Sequence, residues 1–134
     1  MKTINLKRTR EIKKDVLVTP SAVKSIIQGE KEMGICITDH KGVFVAVNDR
    51  YCEIYGWTTD ELLGKHFTEV VPAEFKEQLN KMHDTFIKNQ YEIIRNWDVQ
   101  KKDKSLIKIQ ADAGWNDRIF DGNPHKLTFV FPLS

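Results

Sequence analysis

The segment from Val43 to Phe67, VFVAVNDRYCEIYGWTTDELLGKHF, changes its hydrophobic period twice. An alternating apolar run, Val43, Val45 and Val47, stops at Asn48 and Asp49, and apolar residues then recur at Tyr51, Ile54 and Tyr55 with helical spacing. Asn48 or Asp49 ends the strand and caps this helix, and Gly56 can close it in the left-handed conformation. Loss of such a cap costs about 0.5–2 kcal/mol. Thr58 and Glu61 stand at capping-box spacing and open a further single-turn helix that turns Leu62 and Leu63 inward before Gly64. A strand that runs into short, separately capped helices does not belong to a doubly wound α/β fold, where one long helix returns the chain.

The flanks supply the rest of the architecture. GICITDHKGVFVAVN reads as a β-hairpin turning at DHKG. PAEFKEQLNKMHDTFIKN reads as the longest helix, with Phe75, Leu79, Met82 and Phe86 on its apolar stripe and His83 and Ile87 at the edge. Three strands follow: YEIIRNWDVQ, then LIKIQADAGW after the charged turn KKDKS, then HKLTFVF, which is apolar on both faces as a central strand should be. An antiparallel five-stranded sheet with the short helices and the long helix on one face, an α+β fold, satisfies the two-layer rule. Ahead of the sheet, VTPSAVKSIIQGEKEMG gives a short amphipathic helix within 16–33, opened by Thr19 and Pro20. Its stripe is Val23, Ile26, Ile27 and Met33, with Glu30 as a polar break. That stripe and an apolar outer sheet face need cover, so two copies are expected to pair through these four residues as a homodimer.

Charge is concentrated at the start. Lys2, Lys7, Arg8, Arg10, Lys13 and Lys14 face only Glu11 and Asp15, which predicts a solvated, poorly ordered basic arm over 1–15. It has no interleaved aromatics, so nucleic-acid binding is not expected. No apolar run approaches the ~20 residues of a membrane span. The chain of 134 residues suits one domain over 34–134 behind the arm and helix. Cys36 and Cys52 match no zinc or redox spacing and read as reduced thiols of a cytoplasmic protein. Paired carboxylates, nucleophile triads and phosphate-binding glycine loops are missing, and the four histidines share no metal-ligand spacing. Asp112, Asp117 and Asp121 read as turn and surface residues, and no catalysis is expected.

From about Met33 to Leu133 the chain resembles the PAS family, the sensor domains of bacterial signalling proteins. The resemblance rests on the opening hairpin with D-x-x-G, the strand-ending Asn48, Gly56 before T-x-x-E-L-L-G, and the Phe–Val–Pro exit. VQKKDKSLIKIQ resembles the family turn usually written R-K-D-G-S. Lys104 stands where that turn has glycine, so a left-handed residue there would be strained. The family's Asp–Ile–Thr-like exit triplet is absent.

The resemblance implies a signal-transduction module that binds a small ligand in an internal pocket and relays occupancy to a partner such as a histidine kinase. Pocket positions would be Tyr55, Phe67, Met82, His83, Phe86, Arg95, Trp97, Ile109 and Phe129. The other reading is a ligand-free interaction module with a filled core. No cofactor is the first expectation, with haem as an alternative and flavin behind it. HDTFI, beginning at His83, resembles the H-D-x-Y-I run of haem PAS kinases, and Arg95 matches their propionate-binding arginine. His83 nevertheless lies about two helical turns closer to Asp103 than in that branch. The flavin photoreceptor branch needs a cysteine within GKHFTEVVPAEFKEQL, which has none, and Trp97 falls later than the redox-flavin branch's tryptophan, expected near Tyr91.

Overall fold

The computed structural model describes residues 3–133. Helices α1 (Leu6–Val18) and α2 (Val23–Gln28) precede strands β1 (Gly34–Asp39) and β2 (Phe44–Val47). Helices α3 (Asp49–Tyr55), α4 (Thr59–Leu62) and α5 (Lys76–Asn89) follow, and strands β3 (Arg95–Gln100), β4 (Leu106–Asn116) and β5 (His125–Pro132) complete the chain. The strands form one antiparallel sheet in the order β2-β1-β5-β4-β3. The two ends of the chain's sheet-forming part therefore meet at its centre, with the doubly apolar β5 inside as expected.

Side-chain alternation divides the sheet into two faces. Ile35, Ile37, Leu127 and Phe129 face α1 and α2, in a core that includes Ile12, Val16, Val23 and Ile27. Cys36, Ile109, Val99 and Val130 face the other way, with Tyr51, Tyr55 and Leu62 of the short helices. A bulge in the β1–β2 pairing skips Val45 and interrupts the simple alternation read for the hairpin. Phe44 and Val47 thereby reach the same face although three residues apart.

The local chemistry of the central segment holds. Asn48 caps α3 by accepting from the Tyr51 N–H, and Gly56 ends it at φ 77°. Thr58 and Glu61 exchange both hydrogen bonds of a capping box. Asn48 does more than cap, because its Oδ1 also accepts from Ile35 N at 2.9 Å. Its Nδ2 donates toward the carbonyls of Ile27, Glu30 and Met33 at 3.0, 3.3 and 3.1 Å. One buried amide thus ties the end of α2, the start of β1 and the start of α3 together.

Two expectations for the N-terminal region are corrected. The basic stretch is not a loose arm: its described part forms α1, which buries Thr9, Ile12 and Val16 against the sheet. Lys2 lies outside the described residues. The basic side chains are compatible with docking because Lys7, Arg10 and Lys14 point to solvent, while Lys13 bonds Asp112 at 3.0 Å and Arg8 bonds Glu30 at 3.0 Å. Asp112, read as a surface residue, is therefore a buried anchor for α1. Glu30 is likewise no mere break in a stripe. Burial alone would raise its carboxyl pKa, but the N–H groups of Met33 and Glu32 and the Arg8 guanidinium bring it below the ordinary value.

The second correction concerns the proposed dimer stripe. Val23, Ile27 and Met33 are buried in the chain's own core, and Ile26 packs against it half-buried. The outer sheet face that seemed to need a second copy is covered by α1 and α2 of the same chain. Thr19 ends α1 rather than capping the next helix through its side chain, and a single 3-10 turn at Pro20–Ala22 separates α1 from α2.

Candidate functional site

On the face opposite α1, the sheet and helices α3 and α5 form a partly open cavity of about 100 Å³. Its walls are set by strand parity. Cys36 and Thr38 of β1, Thr128 and Val130 of β5, Ile109 and Ala111 of β4, and Trp97 and Val99 of β3 all present to it. Tyr51 and Tyr55, stacked at 4.2 Å, close one side. Phe67, Val70, Leu79 and Met82 close another.

One end of the cavity is polar. His83 comes from α5, where it lies one turn before Phe86, and is 3% exposed. Its Nε2 is 2.9 Å from Thr38 Oγ1, its ring stacks on Phe67 at 5.1 Å, and its Nδ1 is buried with no hydrogen-bond partner. Burial pushes the imidazole pKa down to about 4, and the charges of Lys126 and His66 push the same way. The ring is therefore neutral near pH 7. The antiparallel register sets Thr38 directly beside Lys126. Lys126 Nζ donates to both carboxylate oxygens of Glu92 at 3.1 Å and lies 4.8 Å from the Phe86 ring centre. Glu92 sits on the irregular connection between α5 and β3, whose Tyr91, Ile93 and Ile94 are exposed. Charge at this end is thus balanced before anything enters.

At the other end, burial pushes the Cys36 thiol up to about 11 and the Tyr51 and Tyr55 phenols well above their usual value. All three stay protonated at neutral pH. Cys36 is a packing and hydrogen-bonding group there, with no thiolate character.

Six of the nine residues expected at the pocket line it: Tyr55, Phe67, Met82, His83, Trp97 and Ile109. Three do not. Phe129 has the opposite strand parity and is buried on the α1 face. Arg95 begins the edge strand and is exposed, with its guanidinium 5.9 Å from the Trp97 ring. Phe86 is buried behind the ion pair, against Lys126. The sequence reading also missed Thr38, Glu92, Lys126 and Thr128. The available signal was Lys126 and Thr128 interrupting an otherwise apolar strand on one parity.

These residues do not fit a haem. A cavity of about 100 Å³ is below the roughly 300–1,000 Å³ of sites for drug-sized ligands, and haem is larger still. The one imidazole lining the cavity has its Nε2 engaged by Thr38 and its Nδ1 buried, and Arg95 is outside the cavity. The same volume argues against a flavin ring system. Among the described residues no cluster of three or more His, Cys, Asp or Glu side chains is arranged to hold a metal ion, and no helix is long and apolar enough to cross a membrane.

Comparison with known proteins agrees with this architecture. A probable serine/threonine-protein kinase of Dictyostelium discoideum is 28% identical over 108 residues, 72% of this chain, and the match spans only 7% of that protein's length. The crystal structure of a PAS domain from Desulfitobacterium hafniense superposes with a TM-score of 0.71 at 17% identity, covering 82% of this chain and all of that one. A domain of a sensory box sensor histidine kinase/response regulator from Geobacter sulfurreducens gives 0.68 at 19% identity, covering 86% and 96%. The family model for the PAS fold matches residues 23–112, from the first residue of α2 to the Asp112 that anchors α1. With the sheet order, the capped short helices and the cavity beside the sheet already established, this chain belongs to the PAS family, whose members commonly serve as sensor modules in signalling proteins.

Proposed function

We propose that this domain senses a small molecule held in the cavity between the sheet and α5, and relays occupancy to α1 on the opposite face. The observation that carries the reading is the pocket itself, whose mainly apolar walls meet a polar end made of Thr38, His83, Glu92 and Lys126. Small-molecule sites are mainly apolar with a few placed polar groups, and this lining has that make-up.

The route to α1 runs through the strands. Cys36, Thr38, Thr128 and Val130 line the cavity, while their neighbours Ile35, Ile37, Leu127 and Phe129 seat α1 and α2. Displacing β1 or β5 from one side therefore alters the packing on the other. Asn48 adds a second link, joining the α2–β1 corner to α3, which supplies Tyr51 and Tyr55 to the cavity. A signalling protein that contacts α1, or a second copy of the chain, would read the change. Native mass spectrometry of protein purified from cells tests the reading. It should show a small non-covalent mass that is released on denaturation and is lost in an Ala111→Leu variant that fills the cavity. A clean apo mass under gentle conditions, unchanged by adding small organic molecules, would favour a filled-core interaction module instead.

A further inference from the structure

The hydrogens at the polar end can be counted, and the count limits what the cavity accepts. A neutral imidazole carries one N–H and a threonine one O–H. Thr38 Oγ1 and His83 Nε2 share one hydrogen bond, and among the described residues neither side chain has another partner. Two hydrogens with one bond between them leave one donor free, whichever tautomer is present. If Thr38 donates to Nε2, the free donor is Nδ1–H. If Nε2–H donates to Thr38, the hydroxyl hydrogen is free and Nδ1 is an additional bare acceptor. The first assignment leaves one group unpaired and the second leaves two, so buried-group pairing favours Nδ1–H.

Charge supplies the second limit. Lys126 is already neutralised by Glu92 through two 3.1 Å hydrogen bonds, which leave its third N–H as a further donor at this end, and His83 is uncharged. An anion or cation entering would be buried without a counter-ion, which is strongly unfavourable. Of the remaining walls, Val70, Met82, Trp97 and Ile109 offer hydrocarbon and aromatic surface, while Cys36, Tyr51, Tyr55 and Thr128 add further uncharged polar groups.

We infer that the cavity selects a compact, uncharged molecule bearing a hydrogen-bond-accepting oxygen, which is held at the polar end by the free donor of the Thr38–His83 pair together with the third Lys126 N–H. This rests on the cavity being a ligand site, as proposed above. It separates that site from one for carboxylates, amines or flat cofactors.

Three probes of matched shape test it: cyclopentanone, methylenecyclopentane, which replaces the carbonyl oxygen by CH₂, and cyclopentanecarboxylate. Binding to the wild-type protein is followed by chemical shifts of the methyl groups of Val70 and Ile109 and of the His83 ring nitrogens. The ketone should bind about 10-fold or more tightly than the alkene, the range for leaving a buried donor unpaired, and should shift the protonated ring nitrogen. The carboxylate should bind more weakly than the ketone. In the double variant Thr38→Val with His83→Phe, which removes both hydrogens of the pair, the ketone should lose most of its advantage over the alkene. If the alkene matches the ketone in wild-type protein, or the carboxylate binds best, the inference is overturned while the cavity remains a ligand site. If no probe shifts the cavity methyls, the inference and the ligand-site reading both fail. The wild-type comparison decides even if the variant does not fold.

Discussion

Replacing Asn48 by alanine should cost far more than a helix cap. The side chain is wholly buried and serves as acceptor for two backbone N–H groups, Ile35 and Tyr51, each at 2.9 Å. Its amide hydrogens serve the carbonyls of Ile27, Glu30 and Met33. The Ile27 carbonyl keeps the Glu30 N–H at 3.2 Å, so the damage falls on the two N–H donors and the other two carbonyls. A buried donor left unpaired costs about 1–3 kcal/mol, and water reaches this site only if the α2–β1 corner opens. Two stranded donors therefore put the expected loss at about 3–4 kcal/mol after some relaxation. That is a large share of the roughly 5–15 kcal/mol that holds a typical domain folded. Equilibrium urea unfolding, followed by tryptophan fluorescence, would measure it as a lower midpoint at unchanged slope. Asn48→Asp is the informative companion. It keeps both acceptor contacts but aims a carboxylate oxygen at the carbonyls, so it should be no better than alanine at neutral pH. It should recover in part as pH falls, because a protonated carboxyl can donate. A loss below about 1 kcal/mol for Asn48→Ala would reduce the residue to an ordinary cap and refute the three-way tie.

Three further outcomes follow from particular residues. Lys104 holds φ 75° in the exposed turn between β3 and β4, so Lys104→Gly should stabilise the domain by about 1 kcal/mol in the same unfolding assay, and no gain would show that the turn is unstrained. His83 has a folded pKa of about 4, below the 6.5 of the unfolded chain, so the unfolded state takes the proton first. Its contribution is complete above about pH 6.5 and falls by about 3 kcal/mol as pH drops toward 4, facing Lys126 and His66 with only Asp39 opposing. His83→Gln should flatten this part of the stability–pH curve, and an unchanged curve would assign the dependence elsewhere. Ile27→Asp buries a carboxylate beneath α2 and should unfold the domain by circular dichroism. A folded variant that merely sediments at lower mass would restore the intermolecular role that the core packing removes.

The parts legible in sequence are those where local chemistry and periodicity agree. Gly56, the Thr58–Glu61 pair and the cap of Asn48 on α3 act within a few residues and follow from spacing, whereas the ties of Asn48 to Ile27, Glu30, Met33 and Ile35 do not. The strands of the sheet show in alternation. Helix α1 was hidden because its buried stripe consists only of Thr9, Ile12 and Val16 among charged residues, too weak a signal beside so many basic side chains. The sheet's partner for that stripe, including Lys13 with Asp112, lies far along the chain and cannot be read from either segment alone. The same limit governs the cavity. In β5 large apolar residues occur on both parities, and Lys126 and Thr128 are the sole sequence sign that Thr128 faces the cavity while Phe129 faces α1. Only the register between β1 and β5 brings Thr38 beside Lys126 and under His83.

Amide hydrogen exchange across α1, with the cavity empty and filled, most directly tests whether occupancy reaches the opposite face. Exchange would be followed at Thr9–Val16 and at α5 in wild-type protein, in wild-type protein with saturating cyclopentanone, and in Ala111→Leu. The account predicts that filling the cavity changes protection in both helices, because β1 and β5 carry the cavity wall and the α1 seat on alternate residues. Altered protection in α5 with α1 unchanged would contradict the relay.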